Sequence, residues 1–388
     1  MNAQPTARVP FWRDVRVIHA VLQVVAVAAV SMILYVLWFN LSNNLRRLGI
    51  RTDFKFLDQP FGVRIAGSDL SPGSSVRDAL LNGVRNTLAL AVVGLPLLTI
   101  AGVLIGIGRL SSNWLVARAS ALFVEIIRNL PPLLLIVFAF QAVVLRLPPA
   151  RSPITPLGWF VISNLEIYVP GITSAATASS FRLIMALTVI GGAGLWWWRT
   201  KTNERTGRPH HRWLWALGLI AVVGVISYIA LDRPIAISLP RLQGRVVTGG
   251  YGGLGAFFAV LGALVLYTSS HVAEIVRGSI QAVSKGQTEA ANALALSNIQ
   301  RLRFVVLPQA LRIALPPTIN QYLNYVKNSS LAIAVGFADV TLIAYQAIGN
   351  GQPAPQTIVI LMGCYLVFSL VISAVVNLYS RRFRLVTR

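Results

Sequence analysis

The sequence predicts an all-α integral membrane protein with about eight transmembrane helices, and three observations carry that prediction. Apolar residues make up 55% of the 388-residue chain and charged residues only 12%, against about 25% charge in a soluble domain; the mean hydropathy is +0.67. The apolar residues gather in runs long enough to cross a ~30 Å hydrocarbon core, which takes about 20 residues. The basic residues, 34 Lys and Arg against 12 Asp and Glu, flank those runs. The net charge of +22 therefore reads as membrane topology, and no nucleic-acid partner is expected. The same composition excludes a disordered chain, a coiled coil and an ordinary cytosolic enzyme. The one cysteine, Cys364, lies in an apolar run, so neither an intrachain disulfide nor a Cys-based zinc site is expected.

Taken in order, the first run is 17–41, preceded by Arg8, Arg13 and Arg16. It is longer than the h-region of a signal peptide, and Leu41-Ser42-Asn43-Asn44 lacks a small-residue cleavage pattern, so it reads as an uncleaved anchor. Spans two and three are 84–108 and 119–145. A linker, 146–180, is rich in proline (Pro148, Pro149, Pro153, Pro156, Pro170), and its apolar patch 157–162 is expected as an interfacial helix. Two further spans, 181–198 and 213–231, enclose the charged stretch 199–212. The last three are 252–270, 331–348 and 357–379. Trp196, Trp197, Trp198, Trp213, Trp215 and Tyr379 fall near span ends, where interfacial aromatics sit.

An even number of spans puts both termini on one side, and the lysine and arginine bias places them in the cytoplasm. Arg199, Lys201, Arg205, Arg208 and Arg212, and Arg381, Arg382, Arg384 and Arg388 at the tail, then lie inside. The stretch 42–85 argues the other way with Arg46, Arg47, Arg51, Lys55, Arg64, Arg77 and Arg85, partly offset by Asp53, Asp58, Asp69 and Asp78.

The segment 272–328, cytoplasmic on this topology, is more orderly than a connector requires. Lys285-Gly286 ends one element and Thr288 caps the next, with Glu289 in its first turn, where a carboxylate favours the positive end of the helix. The alanine-rich 289–296 is a short helix. Ser297 and Asn298 cap a second helix, 299–307, which Pro308 interrupts. Small side chains admit close approach by another surface, which suits a docking helix. An amphipathic helix lying on the membrane accounts equally for the residues alone.

The spacing Glu289-Ala290-Ala291, Ala295, then Val305-x-Leu307-Pro308 resembles the EAA loop of permease subunits of bacterial type I ATP-binding-cassette importers. That family has glycine where this chain has Ala295; a helix ending there asks a non-glycine residue to turn left-handed, at about 1–2 kcal/mol. Further resemblance lies in Asn86-Thr87-Leu88, in 123–131 (FVEIIRNLP), in Ala273-Glu274-Ile275-Val276-Arg277, in Lys285-Gly286-Gln287 and in 315–331. Those stretches resemble the polar amino-acid permeases. The added first span and inserted helix pair resemble the general L-amino acid permeases of Gram-negative bacteria.

The resemblance implies a MetI-like core with an extra N-terminal helix and an inserted helix pair. It divides the chain into an anchor and periplasmic loop (1–80), a first part of the core (81–147), a linker with the inserted pair (148–250), and a second part of the core (251–388) carrying the EAA loop 272–328. It also implies a bacterial inner-membrane location, a cytoplasmic ATPase dimer, a second, non-identical permease and a periplasmic amino acid binding protein. By the same resemblance Glu289, Ala290, Ala291 and Ala295 form the coupling helix, and Leu307 and Pro308 anchor the helix after it. The chain has no G-x-x-x-x-G-K-[ST] loop, so no cofactor is expected on it; ATP and Mg belong to the ATPase.

Charges near a membrane are costly and face protein or water. Glu125/Arg128 and Glu274/Arg277 stand at i,i+3 and suit ion pairs on one helix face, as structural ties or as a gate. Asp339, near mid-span, suits either a solute amino group or a buried turn near Gly336. Asn320, Asn324 and Asn328 form a polar stripe for a pathway or for interhelical hydrogen bonds. The four histidines show no metal-ligand spacing. Contact with anionic lipid is expected of 199–212 and the tail. An ion-coupled secondary carrier is the alternative, but it calls for broken helices and several mid-membrane acids, of which only Asp339 is present. A lipid-modifying enzyme would need acids or histidines clustered at one interface.

Overall fold

The computed structural model describes residues 15–47, 49, 53–68, 70–206, 211–244 and 246–381. Arg8, Arg13, Asp69, Arg208, His210 and the tail 382–388 lie outside the described residues. Among the described residues, six helices are long and apolar enough to cross a membrane, and two bent pairs bring the number to eight.

The helices are α1 (Val15–Arg47), α2 (Val76–Gly108), α3 (Trp114–Asn129), α4 (Pro132–Phe138), α5 (Ala178–Thr206), α6 (Arg212–Ala230), α7 (Gly255–Gln281), α8 (Lys285–Ala293), α9 (Asn298–Arg301), α10 (Leu307–Asn328), α11 (Val340–Gly349) and α12 (Ala354–Arg381). Short strands supplement them: β1 (Val161–Ile162), β2 (Glu166–Val169), β3 (Gly171–Ser174), β4 (Ile235–Ser238), β5 (Arg241–Gln243), β6 (Val246–Thr248) and β7 (Tyr251–Leu254).

The expected third span, 119–145, is a broken one. Leu130 and Pro131 are extended, with ψ of 137° and 133°. A proline pushes the residue before it out of the helical region, and Pro131 and Pro132 do so in succession. The segments on either side, Trp114–Asn129 and Pro132–Arg146, meet at 102°.

The expected seventh span also differs. Residues 331–348 resolve into a 3₁₀ turn (Ser329–Val335), left-handed Gly336 at φ 70° and α11. The long helix here is α10, which hydropathy alone assigns to the cytoplasmic loop because its prolines and asparagines make it less apolar. It buries Ala310, Tyr325 and Val326 and packs on α7 and α12. The connection between α7 and α10 is thus shorter than 272–328, ending near Leu307.

The core centres on α2 and α7, with Leu90, Leu98, Val260, Leu264, Val272, Tyr325, Val340 and Phe368 in one buried cluster. Close approach depends on glycine. A Cβ on Gly102 would lie 2.6 Å from Val272 Cβ, and one on Gly106 2.8 Å from the Ala273 carbonyl oxygen, so helix backbones meet as small residues permit in membranes. Tyr325, fully buried, donates its hydroxyl to the Leu90 carbonyl at 3.1 Å. A second cluster joins Phe56, Phe61 and Ile65, from the segment before α2, to Ala338, Ile343 and Ala347.

The inserted helix pair is clipped to the core by nested antiparallel pairings. β3 pairs with β4 at the base of α5 and α6, and β2 pairs with β1 and β7 just outside. The patch 157–162 is therefore a 3₁₀ turn leading into β1 rather than an interfacial helix. β-branched Val161, Ile162 and Ile167 favour the ladder, and the prolines of the linker exclude a continuous helix. Among the described side chains of α1 none is buried, and most are exposed.

Candidate functional site

The connection between α7 and α10 holds a compact exposed unit. α8 begins at Lys285, four residues earlier than the Thr288 cap implied, with Ser284 at the N-cap and no side-chain cap bond. Lys285-Gly286 therefore opens a helix rather than closing one, and Glu289 stands mid-helix. The C-terminus is where the sequence placed the left-handed residue: Ala295 has φ 52°. The Leu296 N–H donates to the Ala291 carbonyl at 3.1 Å and the Ala295 N–H to the Asn292 carbonyl at 2.9 Å. That is the two-bond Schellman closure usually built on glycine.

After the turn, Ser297 caps α9 in a reciprocal capping box with Gln300. Pro308 does not end the helical path. A π-helical turn, Leu302–Val306, precedes it, and this wider turn accommodates a residue that lacks an N–H and would crowd the carbonyl four residues back. Two side-chain bonds tie α8 to α10 and α9: Gln309 Nε2 donates to Gln287 Oε1 at 3.0 Å, and Arg301 Nη1 to Asn292 Oδ1 at 2.7 Å.

Within α8, Glu289 and Ala290 are exposed while Ala291 is 2% exposed. The two alanines thus differ: Ala290 is free for contact and Ala291 fills the seam beneath. Ala295 is exposed, Leu307 is 40% exposed and Pro308 is half-buried. Sequence reasoning missed three apolar side chains that project from the same unit, Leu294, Ile299 and Phe304. Periodicity could not find them, because the turn at Ala295 and the π turn break the helical register.

At the adjoining ends of α2 and α7 lies a charge network. Glu274 is ion-paired with Arg277 at 2.5 Å and with Arg109, which caps α2. Arg277 also donates to Gln281 Oε1 at 2.8 Å. Arg109 sits at the negative end of the α2 dipole, a favourable place for a cation. Sequence spacing points to Glu274 and Arg277 but not to Arg109, 165 residues away in the chain. Glu125 and Arg128 are exposed and form no ion pair among the described residues, so that expected pair is not formed.

Asp339 is fully buried and acts as the N-cap of α11. Its Oδ1 accepts the Leu342 N–H at 2.8 Å, and its Oδ2 accepts the Tyr365 hydroxyl at 3.3 Å. The turn it closes is pinned by Asn86, which donates to the Ala338 carbonyl at 2.8 Å, and by Thr87, which accepts the Val340 N–H at 3.2 Å. Of the asparagine stripe, Asn320 and Asn324 are exposed on α10 and Asn328 is half-buried. An exposed polar stripe on a helix of this bundle faces water or another protein rather than lipid.

A bundle of apolar helices, six to eight of them among the described residues long enough to cross a membrane, with an exposed helix–turn–helix between α7 and α10, defines a multi-pass membrane protein. Residues 98–385 match the family described as "Binding-protein-dependent transport system inner membrane component", and the chain belongs to that family. It is 36% identical over 369 residues to YhdX of Escherichia coli (strain K12), designated a putative amino-acid ABC transporter permease, with 94% of each chain covered. It is 36% identical over 363 residues to the general L-amino acid transport system permease protein AapQ of Rhizobium johnstonii, covering 92% of this chain and 91% of that one. Against a chain of a crystallised amino acid ABC transporter with histidines the TM-score is 0.47 at 19% identity, covering 79% of this chain and 94% of the other.

Proposed function

We propose that this multi-pass inner-membrane protein is the translocating subunit of an ATP-driven importer of L-amino acids, fed by a periplasmic binding protein. The observation that supports it most is α8: a short, rigidly closed helix with Glu289 and Ala290 on its open face. A hinge-like or disordered connection would absorb a push; a helix closed by a Schellman turn and cross-bonded to α9 and α10 transmits it.

On this reading a pair of cytoplasmic ATPases, which carry ATP and Mg, seats on α8 and on the matching helix of a second, non-identical permease. Ala290 admits the close contact, and Leu294, Ile299 and Phe304 supply apolar area for it. Ala291, Leu307 and Pro308 hold α8 against the start of α10, so displacement of α8 moves the whole of α10. Asn320, Asn324 and Asn328 on that helix face the solute pathway, while the Arg109–Glu274–Arg277 network keeps α2 and α7 moving as one body. Asp339 shapes a buried turn. Glu125 and Arg128, exposed and separate, face the partner chains at the cytoplasmic mouth. Both termini lie in the cytoplasm. The chain itself is non-catalytic.

Proteoliposomes containing this chain, its permease partner and the ATPase test the reading. Uptake of labelled amino acid should require both internal ATP and external binding protein. Uptake by this chain alone, driven by a proton or sodium gradient, would replace the importer with an ion-coupled carrier.

A further inference from the structure

The inserted pair α5–α6 carries a site that the import cycle does not use. Its helices pack mainly against one another, and between them runs a groove of about 910 Å³ lined by Leu195, Leu214, Trp215, Gly218, Leu219 and Val222, with Arg199 at one end. The floor is open because of Gly218, where a Cβ would meet nothing within 4 Å.

The Arg199 end pairs a cation with an indole of the lining, and two further cation–indole pairs stand on the same two helices outside the lining. The Arg199 guanidinium carbon stands 4.5 Å from the Trp215 ring centre, Lys201 Nζ 4.0 Å from Trp197, and Arg212 5.6 Å from Trp196. Arg199 Nε is buried with no hydrogen-bond acceptor. Among the described residues none of Arg199, Lys201, Arg205 and Arg212 forms an ion pair. A guanidinium held over an indole, its charge unanswered by any carboxylate among the described residues, is set to receive an anion in bidentate fashion. The indoles mark the depth of the membrane–water interface, and the rest of the groove is hydrocarbon in character.

We propose that this groove binds one anionic phospholipid, its phosphate on Arg199 and an acyl chain lying along Leu195, Gly218 and Val222. The leaflet is the one holding the α5–α6 turn, the cytoplasmic one on the orientation proposed above. A free phosphate ion would leave the apolar floor unfilled. A zwitterionic lipid would bring an ammonium group against the cation cluster.

Native mass spectrometry of the full chain in mild detergent tests this, with phosphatidylglycerol and phosphatidylcholine of equal chain length supplied in equal amounts. The wild-type chain should retain phosphatidylglycerol preferentially. Arg199→Gln should lower the phosphatidylglycerol-to-phosphatidylcholine ratio about fivefold, the factor expected for one basic residue at an anionic interface, while Arg199→Lys should keep most of the preference. Gly218→Leu, whose Cβ would meet nothing within 4 Å and whose isobutyl group would occupy the floor, should lower retention of both lipids. An unchanged ratio in Arg199→Gln, or unchanged retention in Gly218→Leu, would overturn the proposal. So would cross-linking from Leu219 that finds the second permease seated in the groove.

Discussion

Replacing Ala295 by glycine should tighten the end of α8, and the size of the effect comes from the turn itself. Ala295 holds φ 52°, a conformation that costs an L-residue about 1–2 kcal/mol and glycine nothing. Against that gain, glycine loses more backbone entropy on ordering, about 0.4–1 kcal/mol. The difference is about 0.5–1 kcal/mol in favour of Ala295→Gly, or a two- to fivefold change in the local opening equilibrium. The groups that report it are the N–H of Leu296 and of Ala295, bonded to the carbonyls of Ala291 and Asn292. Hydrogen exchange over 285–300, read by mass spectrometry on the full chain in detergent, should show those amides exchanging two- to fivefold more slowly in Ala295→Gly. Ala295→Val, which puts a β-branched residue where few are found, should exchange faster than wild type. Equal or faster exchange in Ala295→Gly would refute the assignment of strain to this turn.

Other outcomes rest on the same geometry. Asp339→Asn keeps an oxygen for the Leu342 N–H and should leave amino acid uptake within about twofold of wild type, whereas Asp339→Ala should lose a cap worth about 1 kcal/mol and melt earlier; a selective loss of uptake in a normally stable Asp339→Asn would instead mark a solute contact. Glu274→Ala leaves Arg109 and Arg277 unpaired and should cost about 2 kcal/mol, seen as a lowered melting temperature in detergent, with Glu125→Ala as the near-neutral comparison. Asn324→Ala, at an exposed position on α10, should raise the KM for uptake without lowering the melting temperature; the reverse pattern would make the stripe structural.

Much of this fold was legible because bilayer thickness imposes a length on apolar runs, and the first, second and eighth spans emerged nearly as expected. The failures share a physical cause. α10 carries Pro316, Pro317 and the asparagine stripe, so its hydropathy falls, although protein packing buries Tyr325 and Val326 on its other face. Residues 331–348 are apolar enough for a span, yet left-handed Gly336 and the Asp339 cap break them into a turn and a short helix. The break of 102° at Pro131-Pro132 was hidden in the third span because the apolar run continues through the two prolines. In the candidate site, the left-handed Ala295 was legible only through the family resemblance, which has glycine at that position. Arg109 joining Glu274 was not, since ion pairs across helices leave no local pattern. The β3–β4 clip was hidden because each strand has only four residues, and its partner lies beyond two helices.

The central claim, that α8 is the seat of a separate ATPase, is tested most directly by purifying the chain from its native membrane in mild detergent and identifying what it retains. Wild type should bring down an ATPase and a second permease with its own EAA loop. Ala290→Arg, exposed and outside the packed seam, should lose the ATPase yet keep the permease partner, while the buried Ala291→Arg should disturb α8 itself and show faster exchange there. An Ala290→Arg chain that retains the ATPase fully, and transports with normal coupling, would contradict the account.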